Sequence, residues 1–477
     1  MLVTVLAVRA WDAWRSPPLS LWHTQVPEEP TAREIDASDW MGWLSAESLV
    51  FEQVRKQVTD KLPGEDRIAA NRFFFGSPLY PPGFHTNWNR SYLQMPTGQI
   101  EGAVVLLHGL TDSPYSLRHI GDFYRESRFV VVAIRLPGHG TVPAGLTEVR
   151  WEDWAAATRL AVRHARSIAG DDKPLHLVGY SNGAALAMEY TLAAMDDNRL
   201  PKPDQLVLFS PMVGITSFAR FAGVLGWPAV FPAFAKSAWL DTLPEYNPFK
   251  YNSFPVNAAR QSSQLIDAVR GRLLERVKRN GMEAFPRVLA FQSVVDSTVS
   301  SRAVVDDLFA LLPANGSELV MFDRNRAASV GPLARPDSTA VLDELGDPAT
   351  RRFRLTVITG TEADPSLSEA RTTSPGQTGI VRHPLSRYYP KEMYSLSHVA
   401  LPFPVNDALY GIEPGKGESY GVQLGTVAVR GERGILVVSM ETLMRASCNP
   451  FFDYQLERIA VAITGRETAR GHDWRVD

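Results

Sequence analysis

Residues 179–183 read Gly-Tyr-Ser-Asn-Gly, set between the apolar run of Leu175, Leu177 and Val178 and the small-residue stretch 184–194. A strand ending at Tyr180 and a helix starting at Asn182 leave Ser181 alone on the turn, in a strained backbone conformation. The glycines at 179 and 183 then matter, because a Cβ at either would press on the neighbouring strand or helix. The five-residue pattern by itself arises by accident in about one chain of this length in six. Its strand-turn-helix setting is what makes Ser181 a candidate nucleophile; the other reading is a serine that only caps the helix.

The rest of the chain alternates in the same way. Continuous apolar runs at 103–107, 129–134, 175–180, 205–209, 288–291 and 319–322 predict buried strands, and 116–128 and 151–169 carry apolar residues at helical spacing. That alternation predicts an α/β fold with a mainly parallel sheet flanked by helices. Residues 1–96 read as an N-terminal extension on that core, aromatic- and proline-rich from 29 onward, with one helix near 46–61. Core segments at 97–210 and 287–477 enclose a helical cap at 211–286, since almost eighty residues between two strands far exceed an ordinary crossover. The first half of the cap holds Phe218, Phe221, Trp227 and Phe231, weak candidates for lining a substrate pocket and equally candidates for the cap's own core. Its second half predicts an amphipathic helix at 261–280, with Ile266, Val269, Leu273 and Val277 on one face and Gly281 as its stop. Residues 324–350 read as a polar surface insertion. Strands are expected at 353–358, 422–429 and 434–439, and a final helix at 451–464.

At 477 residues, 45% hydrophobic and 21% charged, the composition is that of a globular enzyme with a real core. A formal net charge of −3, without a basic run interleaved with aromatics, argues against nucleic acid as a partner. One cysteine, Cys448, excludes an internal disulfide and reads as a buried small hydrophobe; no Cys/His cluster suggests a metal site, so no metal is expected. The apolar run 1–8 reads as a short strand or terminus, or else as the remnant of a membrane anchor, which leaves the compartment open between cytoplasmic and anchored or periplasmic. The tryptophans near the N-terminus are expected to pack internally, weak membrane association being the other reading.

A serine nucleophile needs a base, an acid to orient that base, and donors for the oxyanion. Asp296 follows the apolar strand Arg287-Val-Leu-Ala-Phe-Gln-Ser after a short turn and is the leading acid, with Asp323 and Asp306 as competitors. In the order nucleophile, acid, base, three of the ten histidines remain: His383, His398 and His472. His472 lies in a polar tail and His383 in what reads as a loop. His398 has apolar neighbours on both sides and is the leading base.

Taken together, His108-Gly109 at a strand end, Pro137-Gly-His-Gly140, Gly179-Tyr-Ser-Asn-Gly183, Asp296 and Ser397-His398 resemble the α/β-hydrolase family, in its bacterial carboxylesterase and monoacylglycerol-lipase-like branch. The resemblance runs well over 102–322 and poorly over the C-terminal third. It implies a cap inserted after the sixth strand, a triad of Ser181, Asp296 and His398, an oxyanion hole from the Leu110 and Asn182 N–H groups, a structural Pro-Gly-His-Gly turn, and no cofactor. His108 is expected to be a hydrogen-bonded support. The sequence departs from the family in the hundred or so residues between Asp296 and His398, which must leave the sheet and return. Cleavage of a carboxylic ester with a hydrophobic acyl group, a small molecule or lipid, is the expected activity. A serine aminopeptidase of the same fold and a non-catalytic binding protein are the alternatives; the cap offers few carboxylates (Asp241, Glu245, Asp267, Glu275, Glu283) to hold a free amine.

Overall fold

The computed structural model describes residues 18–214, 232–328, 340–343, 345, 347–427 and 436–466. After a single helical turn (Leu21–Thr24), its N-terminal extension carries the helices α1 (Ala32–Ala37) and α2 (Trp40–Gln57) and a short edge strand, β1 (Tyr92–Gln94). Helix α2 starts earlier than the apolar spacing suggests because Asp39 caps it, accepting the Gly42 N–H at 2.8 Å. Next come β2 (Gly102–Leu107), α3 (Arg118–Glu126), β3 (Phe129–Ile134), α4 (Trp151–Ala169), β4 (Leu175–Tyr180), α5 (Asn182–Asp196) and β5 (Gln205–Phe209). After β5 the chain leaves the sheet. It makes a small antiparallel pair, β6 (Trp239–Asp241) with β7 (Phe254–Pro255), then helix α6 (Val256–Lys278), and returns in β8 (Arg287–Ser293) and β9 (Glu318–Phe322). The last part holds β10 (Arg354–Gly360), β11 (Ser368–Thr373), β12 (Ile380–Pro384) and α7 (Phe452–Thr464).

The main sheet has the order β1-β3-β2-β4-β5-β8-β9-β10-β11-β12, parallel from β3 to β10 and antiparallel at both ends. The two-residue period of its strands feeds two apolar layers. Val105, Leu107, Val132 and Leu177 pack with α4, α5 and α6 on one face; Val104, Leu106, Val131 and Val178 pack with α3 and α7 on the other. The direction of winding reverses between β2 and β4, and in open parallel sheets a crevice forms outside the strand ends at such a point. His108-Gly109 and Ser181 both sit there.

The N-terminal extension is tied down by polar bonds as well as by Trp22, Trp40 and Trp43, all buried. Glu29 takes both terminal nitrogens of the buried Arg135, at 2.7 and 2.9 Å, and Glu47 takes its Nε at 3.2 Å.

Several elements differ from the sequence expectation. The described residues of the excursion before α6 form no α-helix, only a 3-10 turn (Pro232–Ala238) and the β6–β7 pair. Helix α6 lies against the sheet, with Leu265, Ile266, Val269 and Leu273 in the same apolar layer as α4 and α5. Phe218, Phe221, Trp227 and Phe231 lie outside the described residues, as does much of the 324–350 insertion. No strand forms in the described parts of 422–429 and 434–439; Leu424–Thr426 is a 3-10 turn whose Leu424 N–H is spent on Leu409 O at 2.7 Å. The sheet is instead extended by β11 and β12, which the apolar pattern does not reveal because β12 is exposed along its length. No helix among the described residues is long and apolar enough to cross a membrane.

Candidate active site

At the end of β4, Ser181 takes φ 55° and ψ −113°, the strain that its place between strand and helix requires. A Cβ on Gly183 would strike the Leu107 carbonyl, and one on Gly179 would lie 2.5 Å from Ala184 Cα. Helix α5 can therefore approach β2 and β4 only with glycine at both positions. The Ser181 N–H donates to Phe209 O at 2.9 Å, which fixes the turn to the next strand.

Across the reversal point, His108 accepts the Leu136 N–H at Nε2 (3.0 Å), so Nδ1 carries the proton and donates to Gly109 O at 2.9 Å. Burial pushes its pKa down to about 3, and the ring is neutral. His108 thus braces the turn that carries Leu110. The Leu110 and Asn182 backbone N–H groups have no hydrogen-bond partner among the described residues. The Asn182 side chain is turned away to accept from Ser262 Oγ at 3.0 Å.

His398 Nδ1 lies 2.9 Å from Asp296 Oδ2 across 102 residues of sequence. The carboxylate is spoken for on every side: Ser210 Oγ (3.0 Å) and Gln292 Nε2 (3.3 Å) donate to Oδ2, and the Thr298 and Val299 N–H groups donate to Oδ1 at 2.8 and 2.9 Å. Burial would raise its pKa, but the interaction with His398 and the two N–H groups outweigh burial and hold it below the usual carboxylate value. Asp296 is therefore an anion aimed at one imidazole nitrogen. His398 is brought to the turn through Tyr180, whose hydroxyl donates to the His398 carbonyl at 3.3 Å and whose ring lies 5.3 Å from the imidazole. Ser293 Oγ holds the preceding loop through Leu396 O at 2.9 Å. The Ser181 hydroxyl itself makes no hydrogen bond among the described residues.

The competing residues are engaged elsewhere. Asp323 accepts from Thr359 Oγ1 and Arg326 Nε, both at 2.7 Å, and Asp306 pairs with Arg302 at 3.2 Å. His383 stands on the exposed edge strand β12, not in a loop, and His472 lies outside the described residues. Ser210, Gln292 and Tyr180 are the partners that the sequence did not single out. Tyr180 ends β4 and Ser210 directly follows β5, which is the signal that could have found them. Cys448 is buried and unpaired, and burial pushes its thiol up to about 11. Among the described residues no group of His, Cys, Asp and Glu is arranged to hold a metal ion.

Residues 104–381 match the alpha/beta hydrolase family, and the chain belongs to it. The match starts in β2 and ends on β12, before His398. Over 54 residues the chain is 35% identical to the thermostable monoacylglycerol lipase of Bacillus sp. (strain H-257), a stretch that spans 11% of this chain and 22% of that relative. Among solved structures, a monoacylglycerol lipase of Paleococcus ferrophilus is 18% identical with a TM-score of 0.36, covering 54% of this chain and 98% of that one. A thermostable carboxyl esterase from Bacillus coagulans is 14% identical with a TM-score of 0.38, covering 49% and 84%.

Proposed function

We propose that the protein is a serine hydrolase that cleaves carboxylic esters through an acyl-enzyme. The reading is supported by one arrangement: an ionised, fully bonded Asp296 holds His398, whose ring lies 5.3 Å from that of Tyr180, the residue that precedes the strained, glycine-flanked Ser181. In this reading the Ser181 hydroxyl attacks the ester carbonyl and its proton passes to His398 Nε2. Asp296 fixes the imidazole tautomer, with the proton on Nδ1, and stabilises the imidazolium that forms. The free Leu110 and Asn182 N–H groups receive the developing oxyanion. The alkoxide leaves with the proton held by His398, and water, deprotonated by the same imidazole, releases the acid. Likeness over 54 residues to a monoacylglycerol lipase supports an ester as substrate.

The carboxylates expected for an aminopeptidase do not favour that alternative. Glu245 is buried and accepts the Asn252 and Ser253 backbone N–H groups at 3.1 and 2.8 Å, so it braces its own loop. Replacing Ser181 by Ala should abolish turnover of short p-nitrophenyl esters and labelling by a fluorophosphonate probe. Turnover at the wild-type rate in that variant would end this account.

A further inference from the structure

Beside the turn that carries Leu110 lies a cavity of about 400 Å³, lined by Thr111 and Val399, the neighbours in sequence of Leu110 and His398. Leu243, Phe254, Val399 and Leu424 give its walls an apolar share, and polar and charged side chains are set among them. Asn247, Asn252, Tyr246, Tyr410, Lys250 and Arg445 all face it.

Lys250 is half-buried and has no carboxylate within ion-pair distance among the described residues. Its ammonium donates to Thr111 Oγ1 at 3.1 Å and, weakly, to Leu110 O at 3.4 Å, which leaves donor capacity free. Burial lowers its pKa; Asp112 opposes that from beyond contact, and the charge of Arg445 adds to it. Arg445 is exposed and uses only Nη2, on Thr298 Oγ1 at 2.7 Å. The Tyr410 hydroxyl accepts from Asn247 Nδ2 at 2.6 Å, and its own proton has no acceptor among the described residues. Glu441 is the one acidic side chain on the lining, and it is exposed at the rim. On the lining itself two cations with unused donors face a single solvated carboxylate, with the buried Asp112 beyond ion-pair distance of Lys250, and charge-assisted hydrogen bonds from them favour a negative guest.

We propose that this cavity receives an acidic group of the substrate, held by Lys250 and Arg445, so that the ester cleaved is one that also carries an anion. The inference rests on Ser181 being the nucleophile and deepens that reading.

Two matched pairs test it in the full-length protein. The first is p-nitrophenyl hydrogen adipate against p-nitrophenyl hexanoate, with the charge in the acyl part. The second is 4-carboxyphenyl butyrate against 4-carbamoylphenyl butyrate, with the charge in the alcohol. The wild type should prefer the charged member of at least one pair in kcat/KM. Lys250→Met should reduce that preference about tenfold, mainly through KM, and Lys250→Arg should keep most of it. No preference in either pair would overturn the inference. So would a Lys250→Met variant that slows charged and neutral esters alike with KM unmoved, since Lys250 would then only prop the Leu110–Thr111 turn. Fluorophosphonate labelling of Ser181 separates the two failures: labelling without charge preference removes this inference alone, whereas no labelling and no turnover of any of the four esters removes the ester reading with it.

Discussion

The two sides of the candidate site are built by different physics. On the serine side, position follows from close packing: a strand, a one-residue turn and a helix are pressed together so tightly that two glycines leave the backbone no alternative. On the histidine side the described residues from the end of β12 to Ser439 hold no α-helix or strand, only the 3-10 turn at Leu424–Thr426, and polar bonds do the positioning. Asp407 is the centre of that side. Buried, it accepts from Arg118 Nη1 (2.8 Å), His119 Nε2 (3.0 Å), Tyr115 Oη (3.0 Å) and the Leu409 and Tyr410 N–H groups (2.9 and 2.7 Å). Its carboxyl is held far below the usual range: burial alone would raise it, but Arg118 and His119 prevail. A loop can thus be held as firmly as a strand end, provided that its buried charge is matched.

The contrast can be broken from either side, and it divides the expected effects. Asp296→Asn should leave the fold in place and lower ester turnover about 10⁴-fold, by removing the anion that orients His398; a variant with wild-type kcat would detach that pair from catalysis. Gly183→Ala drives a Cβ into the Leu107 carbonyl and should cost at least about 4 kcal/mol in urea unfolding, through strain where no side chain can yield. Asp407→Asn leaves the buried Arg118 with only the longer, half-exposed contact to Glu418 (3.5 Å) as counter-charge and should cost about 3 kcal/mol, with ester turnover falling too as the His398 loop loosens. If the Asp407 variant unfolded at the wild-type midpoint, polar anchoring of this side would be wrong.

A further effect is in pH. Burial lowers the pKa of His108 and His176 to about 3 and that of His23 to about 4. The unfolded chain takes up these protons below about pH 6.5 while the folded one does not. Stability should therefore be complete above pH 6.5 and decline towards pH 4, by up to about 1.4 kcal/mol per pH unit for each such histidine. His176→Gln should flatten that decline in a series of thermal melts; an unchanged slope would mean that His176 is not neutral in the fold.

Much of the serine side was legible in the sequence because its determinants are local. Apolar runs bounded by polar turns read as buried strands, and Gly-Tyr-Ser-Asn-Gly carries its own steric requirement within five residues. Asp296 and His398 could be ranked by their surroundings, but nothing local couples them; their 2.9 Å contact exists only because β8 and the loop beyond β12 converge. The same distinction explains the errors. Helix α6 was read with the cap because its amphipathic stripe does not say which surface it covers, and β11 and β12 escaped notice because an exposed antiparallel edge has no apolar signature. Lys250 and Asp407 carry no motif at all.

The sequence by itself determined the alternation of strands and helices, the buried runs of the sheet and the strained position of Ser181, since each follows from the steric and apolar character of residues adjacent in the chain. Only the tertiary structure decided which carboxylate meets which imidazole, and that a half-buried lysine faces the cavity beside the Leu110 turn. Those outcomes depend on where distant segments meet, and their energies come from burial and charge that no residue possesses until the fold has closed around it.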